Sequence, residues 1–291
     1  MPHHSGFVSI VGKPNVGKST LMNKLVGENL SIITAKAQTT RHRIMGILNG
    51  EDFQIVYSDT PGILEPKYDL HHAMMSYVQV SLEDADVILL VVEPEDKYDE
   101  SIHGRFGDLT VPVILVLNKS DLCKGSQLDD KLAYWKSKLR LTDAIGVSAK
   151  TGAKVATILP LIRKFLPEHP AYFPKDTLTD RYERFFAAEI IREKIFLTYE
   201  QEIPYSCEVG IESFKDEEKI IRISAMIYVE RDSQKGIVIG KAGSSLKKVG
   251  TDARMDMEKF FNKKIFLEMR VKVAENWRKQ KTRLRQFGYL E

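Results

Sequence analysis

Across residues 7–166 the chain alternates short, β-branched apolar runs with stretches of helical spacing. The runs at 7–11, 43–48, 53–58, 87–92, 113–117 and 144–147 have the length and composition of strands. Two of them, 43–48 and 53–58, meet across Asn49-Gly50, a dipeptide suited to a hairpin turn. The others are separated by segments long enough for helical crossovers. This predicts an α/β domain with a mainly parallel sheet, one antiparallel strand, and helices on both faces. Three prolines, Pro167, Pro170 and Pro174, then interrupt the pattern and read as a linker, dividing the chain into 1–173 and 174–291.

Beyond the linker the rhythm changes. A helix is expected over 180–200, capped by Thr179 or Asp180, with Phe185, Ile190, Ile191 and Ile195 as its apolar face. Strands follow at 206–214 and 219–229, then a glycine-punctuated turn at 236–243, a helix over 245–261, a strand at 265–273 and a terminal helix. We read the order as α-β-β-α-α-β, an α+β domain, which asks for one more helix before the third strand than these segments supply.

Composition narrows the class. Hydrophobic content of 43% with 29% charged residues suits a globular chain rather than a disordered one. The longest apolar runs are strand-sized, well short of the ~18 residues of a membrane helix. The first five residues lack the basic and apolar regions of a signal peptide. Cys123 and Cys207 have neither disulfide-framework nor metal-ligand spacing, which fits a reducing cytoplasm. The formal charge of +3 conceals a gradient. Residues 1–173 carry 19 basic and 20 acidic side chains, residues 174–234 carry 9 and 14, and residues 235–291 carry 15 and 6. One end of the chain is strongly basic, as a nucleic-acid partner requires.

Candidate chemistry sits where strands end. Gly12-Lys13-Pro14-Asn15-Val16-Gly17-Lys18-Ser19 follows the first strand and leads through Thr20 into a helix. Its spacing, G-x-x-x-x-G-K-[ST], wraps backbone N–H groups around phosphate. Lys18 is then placed to bridge the β- and γ-phosphates and Ser19 to ligate Mg²⁺. Asp59-Thr60-Pro61-Gly62 ends the third strand; alone it is an ordinary turn. Forty residues after a phosphate loop, Asp59 can hold Mg²⁺ through water and the Gly62 N–H can sense the γ-phosphate. Asn118-Lys119-Ser120-Asp121 ends the fifth strand. The Asp121 carboxylate can accept the ring N–H and exocyclic amine of guanine, where adenine would oppose a lone pair. Asn118 is suited to tie loops together, and the Lys119 stem to lie along the purine. Ser148-Ala149-Lys150, weak as an isolated signal, would complete the base pocket.

This ordered set resembles the translation-factor class of GTPases. Ala37-Gln38-Thr39-Thr40-Arg41-His42-Arg43 is similar to the first switch of the Era family of bacterial ribosome-assembly GTPases. The resemblance implies that Thr40 reaches Mg²⁺ and the γ-phosphate in the GTP state, giving Lys18, Thr40 and Gly62 as catalytic residues and Ser19, Thr40 and Asp59 as metal ligands. Ras-type proteins orient the attacking water with a glutamine after the Asp-x-x-Gly motif. Here that position is Ile63, a hydrophobic residue as the resemblance implies, so slow intrinsic hydrolysis is expected. Arg41 and Arg43 are expected to be solvated surface residues.

In the basic region, Gly240-Lys241-Ala242-Gly243 follows Ile237-Val238-Ile239 and precedes a helix bearing Lys247, Lys248 and Arg254. A G-x-x-G loop lets a single-stranded backbone approach the peptide, and KH domains clamp about four nucleotides this way. The element order resembles a type II KH domain, as do Ile203-Pro204-Tyr205-Ser206 and the preceding Arg192-Glu193-Lys194. Ile239, Gly240, Lys241, Ala242, Gly243, Lys247 and Lys248 are the candidate RNA-binding residues. The basic tail, 277–285, would extend this surface or face an acidic membrane. Across the whole chain the resemblance implies a monomeric GTP/GDP switch that binds small-subunit (16S) rRNA and acts in 30S ribosomal subunit assembly. Its implied address is the cytoplasm, with peripheral contact to the inner membrane left open. Two rivals remain: a GTPase of tRNA modification or ribosome rescue, and an RNA-binding module that holds nucleotide only as a structural ligand.

Overall fold

The computed structural model describes residues 2–290. They form two compact units. The first holds the residues through Pro66 together with Met74–Asp180; the second holds Lys67–Ala73 and everything from Arg181 onward.

The first unit is built on β1 (His4–Val11), α1 (Lys18–Val26), β2 (Ile44–Asn49), β3 (Phe53–Asp59), α2 (Asp69–Glu83), β4 (Val87–Val92), α3 (Glu100–His103), β5 (Val113–Leu117), α4 (Gln127–Lys138), β6 (Asp143–Gly146) and α5 (Ile158–Arg163). The first turn of α2 belongs to the second unit. The sheet order is β2-β3-β1-β4-β5-β6, parallel except for the β2–β3 hairpin, which pairs Ile44 with Asp59 and Asn49 with Gln54. β4 and β5 are buried along their whole length, as strands covered on both faces must be. On one face Val11, Ile88, Leu90, Leu115 and Leu117 pack with Val78 and Leu82 of α2 and Trp135 of α4. Val8 and Ile10 alternate to the other face, where α1 packs on the sheet. All the parallel strands therefore deliver their carboxyl ends, and the loops that follow, to one edge of the sheet.

The proline-rich stretch does not hang free. Ser5 N donates to Pro167 O, Gln54 Nε2 to Phe173 O and Ile47 N to Leu178 O, at 3.1, 2.9 and 2.8 Å. Residues 174–180 accordingly lie with the first unit, past the expected division. Asp180, expected to cap the next helix, instead accepts a hydrogen bond from Met45 N at 3.3 Å.

The second unit contains α6 (Glu183–Thr198), α7 (Ile203–Ser206), β7 (Glu208–Asp216), β8 (Ile220–Val229), α8 (Asp232–Ile239), α9 (Ser244–Phe260), β9 (Lys264–Val273) and α10 (Lys281–Gln286). Its sheet runs β7-β8-β9, antiparallel then parallel. One core joins Ile191 and Ile195 of α6, Val249, Ala253 and Met257 of α9, and Ile221, Ile223, Ala225 and Ile227 of β8. Two expectations are corrected here. Ser206 ends a helical turn set by Pro204 rather than opening a strand. Residues 236–239, read as the start of a turn, instead end a helix that runs over Asp232–Ile239 despite Gly236. The Gln234 side chain accepts from the N–H groups of Glu230 and Arg231 at 2.9 and 3.1 Å, satisfying donors at the helix start.

Candidate functional site

The loop between β1 and α1 folds back over the carboxyl end of the sheet. Gly12 (φ 153°) and Gly17 (φ 95°) have backbone angles that side-chain-bearing residues rarely adopt. Both also lack room for a side chain: a Cβ would lie 2.2 Å from Val91 O at Gly12 and 2.2 Å from Asn118 Nδ2 at Gly17. Gly17 precedes α1 with no side-chain cap, so the first N–H groups of that helix are left for a ligand. Lys18 is buried, and its Nζ donates to Gly12 O (3.2 Å) and Lys13 O (2.9 Å), arching over the loop. Burial lowers its pKa to about 8, with the Asp59 charge opposing that fall.

Three oxygens converge beside Lys18. Ser19 Oγ donates to Asp59 Oδ2 at 2.6 Å, and Thr40 Oγ1 lies 2.8 Å from Ser19 Oγ. The Ser19 proton is committed to the carboxylate, and the Thr40 hydroxyl completes the cluster beside both. Asp59 is fully buried, and its Oδ1 has no hydrogen-bond partner. Burial raises its pKa, while the Ser19 hydrogen bond and the Lys18 charge oppose the rise. A buried carboxylate oxygen without a partner, beside two hydroxyls, is a donor set that fits a hard divalent cation such as Mg²⁺.

The remaining parts are tied in by Asn118. Its Nδ2 donates to Val16 O at 2.8 Å and its Oδ1 accepts from Ala149 N at 2.9 Å, joining the phosphate loop to the 148–150 loop. Lys119 adopts the left-handed conformation (φ 57°), and its ammonium pairs with Glu93. Gly62 packs on Pro14, where a Cβ would come within 2.6 Å of the backbone, and Ile63 N donates to Gly12 O at 3.0 Å. The Ile63 side chain is buried in the core beside Val11 and Val78.

A cleft of about 460 Å³ results. Pro14, Asn15, Gly17, Lys18, Ser19, Thr20, Thr40, Gly62, Asn118, Lys119, Asp121, Ala149 and Lys150 line it. Gly12, Lys13, Val16, Asp59, Thr60, Pro61 and Ser148 are not part of that lining. Thr60, for instance, is fully buried with its hydroxyl on Ile10 O at 2.9 Å. The lining also includes Gln38 and Thr39 of the first-switch stretch, and Ile32, Ile33, Thr34, Ala35 and Leu122, which no motif marks. The expected surface role of two arginines is wrong: Arg41 is fully buried, and Arg43, 7% exposed, donates to Ser58 Oγ and Asp84 Oδ2, each at 2.6 Å.

In the second unit Gly240 (φ 72°), Ala242 (φ 51°) and Gly243 (φ 79°) turn the chain from α8 into α9. Lys241, Ala242, Lys247 and Lys248 are exposed, and Ile239 is half-buried. Gly243 and Lys247 line a groove of about 360 Å³ with Leu246, Gly250, Thr251 and Arg254 of α9 and Leu267 and Met269 of β9. Ile239, Gly240, Lys241, Ala242 and Lys248 lie outside this lining. The basic tail is partly structural: Trp277 is buried with Nε1 donating to Ser206 O at 2.8 Å, and Arg278 donates to Glu230 at 2.5 Å.

Comparison with known proteins identifies both domains. Residues 7–119 match the family described as 50S ribosome-binding GTPase, and residues 202–278 match the KH domain family. GTPase Era of Geotalea daltonii is 47% identical over 98% of this chain and 98% of its own length. That of Syntrophus aciditrophicus is 48% identical over 99% of this chain and 95% of its own. The chain belongs to the Era family of GTPases. A crystal structure of Era in complex with MgGDPNP and nucleotides 1506–1542 of 16S ribosomal RNA superposes with a TM-score of 0.93 at 39% identity, covering 99% of this chain and 100% of that one. Aquifex aeolicus Era bound to GDP and tetrafluoroaluminate gives 0.92 at 38% identity, with 99% and 100% covered. The family thus joins a mainly parallel GTPase sheet to a KH domain, as this chain does.

Proposed function

We propose that this chain is a GTP-hydrolysing switch that binds small-subunit (16S) rRNA through its KH domain and acts in 30S ribosomal subunit assembly. The observation that carries the reading is the convergence of Ser19, Thr40 and Asp59 beside buried Lys18, in a chain whose other unit presents a glycine loop and basic helix. Support comes from the Era relatives, one of which was solved with a GTP analogue and 16S rRNA nucleotides. Mg²⁺ held by Ser19, Thr40 and Asp59 would neutralise charge developing on the β- and γ-phosphate oxygens. Lys18 binds the same oxygens as a fixed cation, and the Gly62 N–H registers the γ-phosphate. Asp121 and Asn118 select guanine. Ile63, buried and without a polar atom, orients no water, so turnover is slow until a partner completes the site. Loss of the γ-phosphate frees Thr40 and Gly62, which is the event that alters RNA engagement.

We place the protein in the cytoplasm as a monomer. Trp277, Leu284 and Tyr289 turn inward, leaving Lys279, Lys281 and other basic tail residues for the rRNA; peripheral contact with the inner membrane would rest on charge alone. The decisive experiment measures Mg²⁺-dependent GTP turnover with and without small subunits, and rRNA affinity in saturating GTP analogue and in GDP. Turnover with a nucleotide-dependent affinity is expected; equal affinity in both states removes the switch. Asp121→Asn should move preference from guanine to xanthine nucleotides, and retained GTP preference would refute the base assignment.

A further inference from the structure

Asp59 has one oxygen in use and one unclaimed. Oδ2 accepts from Ser19, while Oδ1 is buried without a partner. A second buried group close by shares that condition. Ser31, 4% exposed, carries a hydroxyl that makes no hydrogen bond. The two groups are neighbours: burial raises the pKa of the Asp59 carboxyl, and the Ser31 hydroxyl is among the groups near enough to oppose that rise. A polar group left unsatisfied away from water is costly, so a serine here needs a reason.

What holds Ser31 in place is Asn23. Its Oδ1 accepts from Leu30 N at 3.1 Å and Ser31 N at 3.0 Å, and its Nδ2 donates to Ser31 O at 2.7 Å. One amide thus grips both the N–H and the C=O of residue 31. Asn23 is itself buried and lies one turn beyond Ser19 on α1, so both side chains project from the same helix face. That helix therefore reaches Asp59 twice, directly through Ser19 and by way of Asn23 and Ser31. The other neighbours of the carboxylate have ligands of their own to serve. Lys18 is taken by phosphate, and the oxygens of Ser19 and Thr40 by the cation. Ser31 is not part of the cleft lining, so its hydroxyl is left for the carboxylate.

We propose that Ser31 is a positioning residue of the metal site: its hydroxyl donates to the Asp59 carboxylate and, anchored by Asn23, fixes the orientation in which that carboxylate receives Mg²⁺. The inference rests on the Mg²⁺ reading of Ser19, Thr40 and Asp59 and deepens it. The hydrogen bond favours the ionised carboxyl against its burial and restrains its rotation, as outer partners of metal-binding carboxylates do.

The test uses the full chain and titrates Mg²⁺ against equilibrium binding of GDP and of a non-hydrolysable GTP analogue, with parallel measurements in chelator. Ser31→Ala should raise the Mg²⁺ concentration at the midpoint of the affinity gain by about tenfold or more, and leave binding in chelator unchanged. The hydroxyl it removes is buried and unbonded without the metal. Melting of the nucleotide-free protein in chelator should therefore be unchanged or slightly raised, where a packing role would lower it. Asn23→Ala should shift the Mg²⁺ midpoint the same way and add nothing further in a Ser31→Ala background; additive shifts remove Asn23 from the linkage. The Ser31 variant decides the proposal by itself. An unaltered midpoint, or equal losses in Mg²⁺ and in chelator, overturns it. Asp59→Asn separates the two readings. If it shifts the midpoint and Ser31→Ala does not, only this inference fails; if Asp59→Asn leaves the midpoint in place, the metal reading fails with it.

Discussion

Two glycine loops in this molecule each open a helix, and neither helix start has a side-chain cap. Gly17 and Gly243 both precede their helices in the left-handed region, at φ 95° and φ 79°. Their surroundings differ. The Cβ position of Gly17 is already filled by Asn118, whereas nothing lies within 4 Å of the same position at Gly243. The first loop is enclosed: its carbonyls at Gly12, Lys13 and Val16 accept from the Lys18 ammonium and the Asn118 amide, while its N–H groups stay turned to the cleft. The second is open, with exposed lysines on both sides. An enclosed loop suits one rigid ligand met in one geometry, and an open loop suits a polymer whose backbone passes by. The same glycine therefore answers two constraints in one unit and a single constraint in the other.

The sharpest way to break this comparison is Gly17→Ala. The substitution strains φ and drives a methyl into an amide that cannot retreat without releasing Val16 O and Ala149 N. We expect nucleotide affinity to fall by at least about 100-fold, read by equilibrium titration with fluorescent GDP. A loss within about threefold would show that the loop is not enclosed as described. Asp59→Asn comes next. It removes the charge but keeps the shape, so binding of GTP in Mg²⁺ should drop by about tenfold or more while binding in chelator stays the same. An equal loss under both conditions would assign Asp59 to folding rather than to the metal.

How far the sequence carried the site follows from how local its parts are. The phosphate loop, Asp59–Gly62, Asn118–Asp121 and the Gly240 loop are contiguous peptides placed at strand ends or before a helix, so spacing alone located them. What escaped is what depends on distant partners. Arg43 looked solvated because Asp84, which pairs with it, lies 41 residues away. The first-switch resemblance took in Thr39 but not its hydroxyl partner Thr34, which becomes a neighbour only once residues 34–39 close on themselves. Ile33 and Leu122 have no signature at all, since an exposed aliphatic residue is ordinary on any surface. The fold shows the same divide. The six strands of the parallel-type sheet were legible from their apolar runs. The helix over 232–239 was not, because its start is satisfied by Gln234 behind an arginine rather than by a serine or threonine box.

On the open side the expected losses are smaller. Gly243→Ala meets no neighbour and costs only its backbone strain, about 1–2 kcal/mol, so RNA affinity should fall roughly fivefold to thirtyfold with the nucleotide site untouched. Lys247→Ala, on the groove wall, should lower affinity modestly and reduce the salt dependence of binding by about 0.7 in log–log slope, the signature of one lost contact to a single strand. A loss without any change in slope would mean that Lys247 touches bases rather than phosphate.

The smallest effect is expected at Gly250, where two opposing terms nearly cancel. Gly250 lies inside α9 at an ordinary helical angle, so alanine there favours the helix by about 0.5–1 kcal/mol. Its Cβ would stand 2.8 Å from Met269 Cε, which is the far end of a flexible side chain rather than backbone. Met269 can rotate away, and the space open to it is the groove that both residues line. Gly250→Ala should therefore leave stability unchanged or slightly raised in urea unfolding, while RNA affinity falls by about twofold as the groove narrows. Destabilisation beyond about 1 kcal/mol would show that Met269 is locked and that the groove floor is as tightly packed as the nucleotide cradle. In that case the contrast between the enclosed and open loops would be confined to the loops themselves and would not extend to the surfaces beneath them.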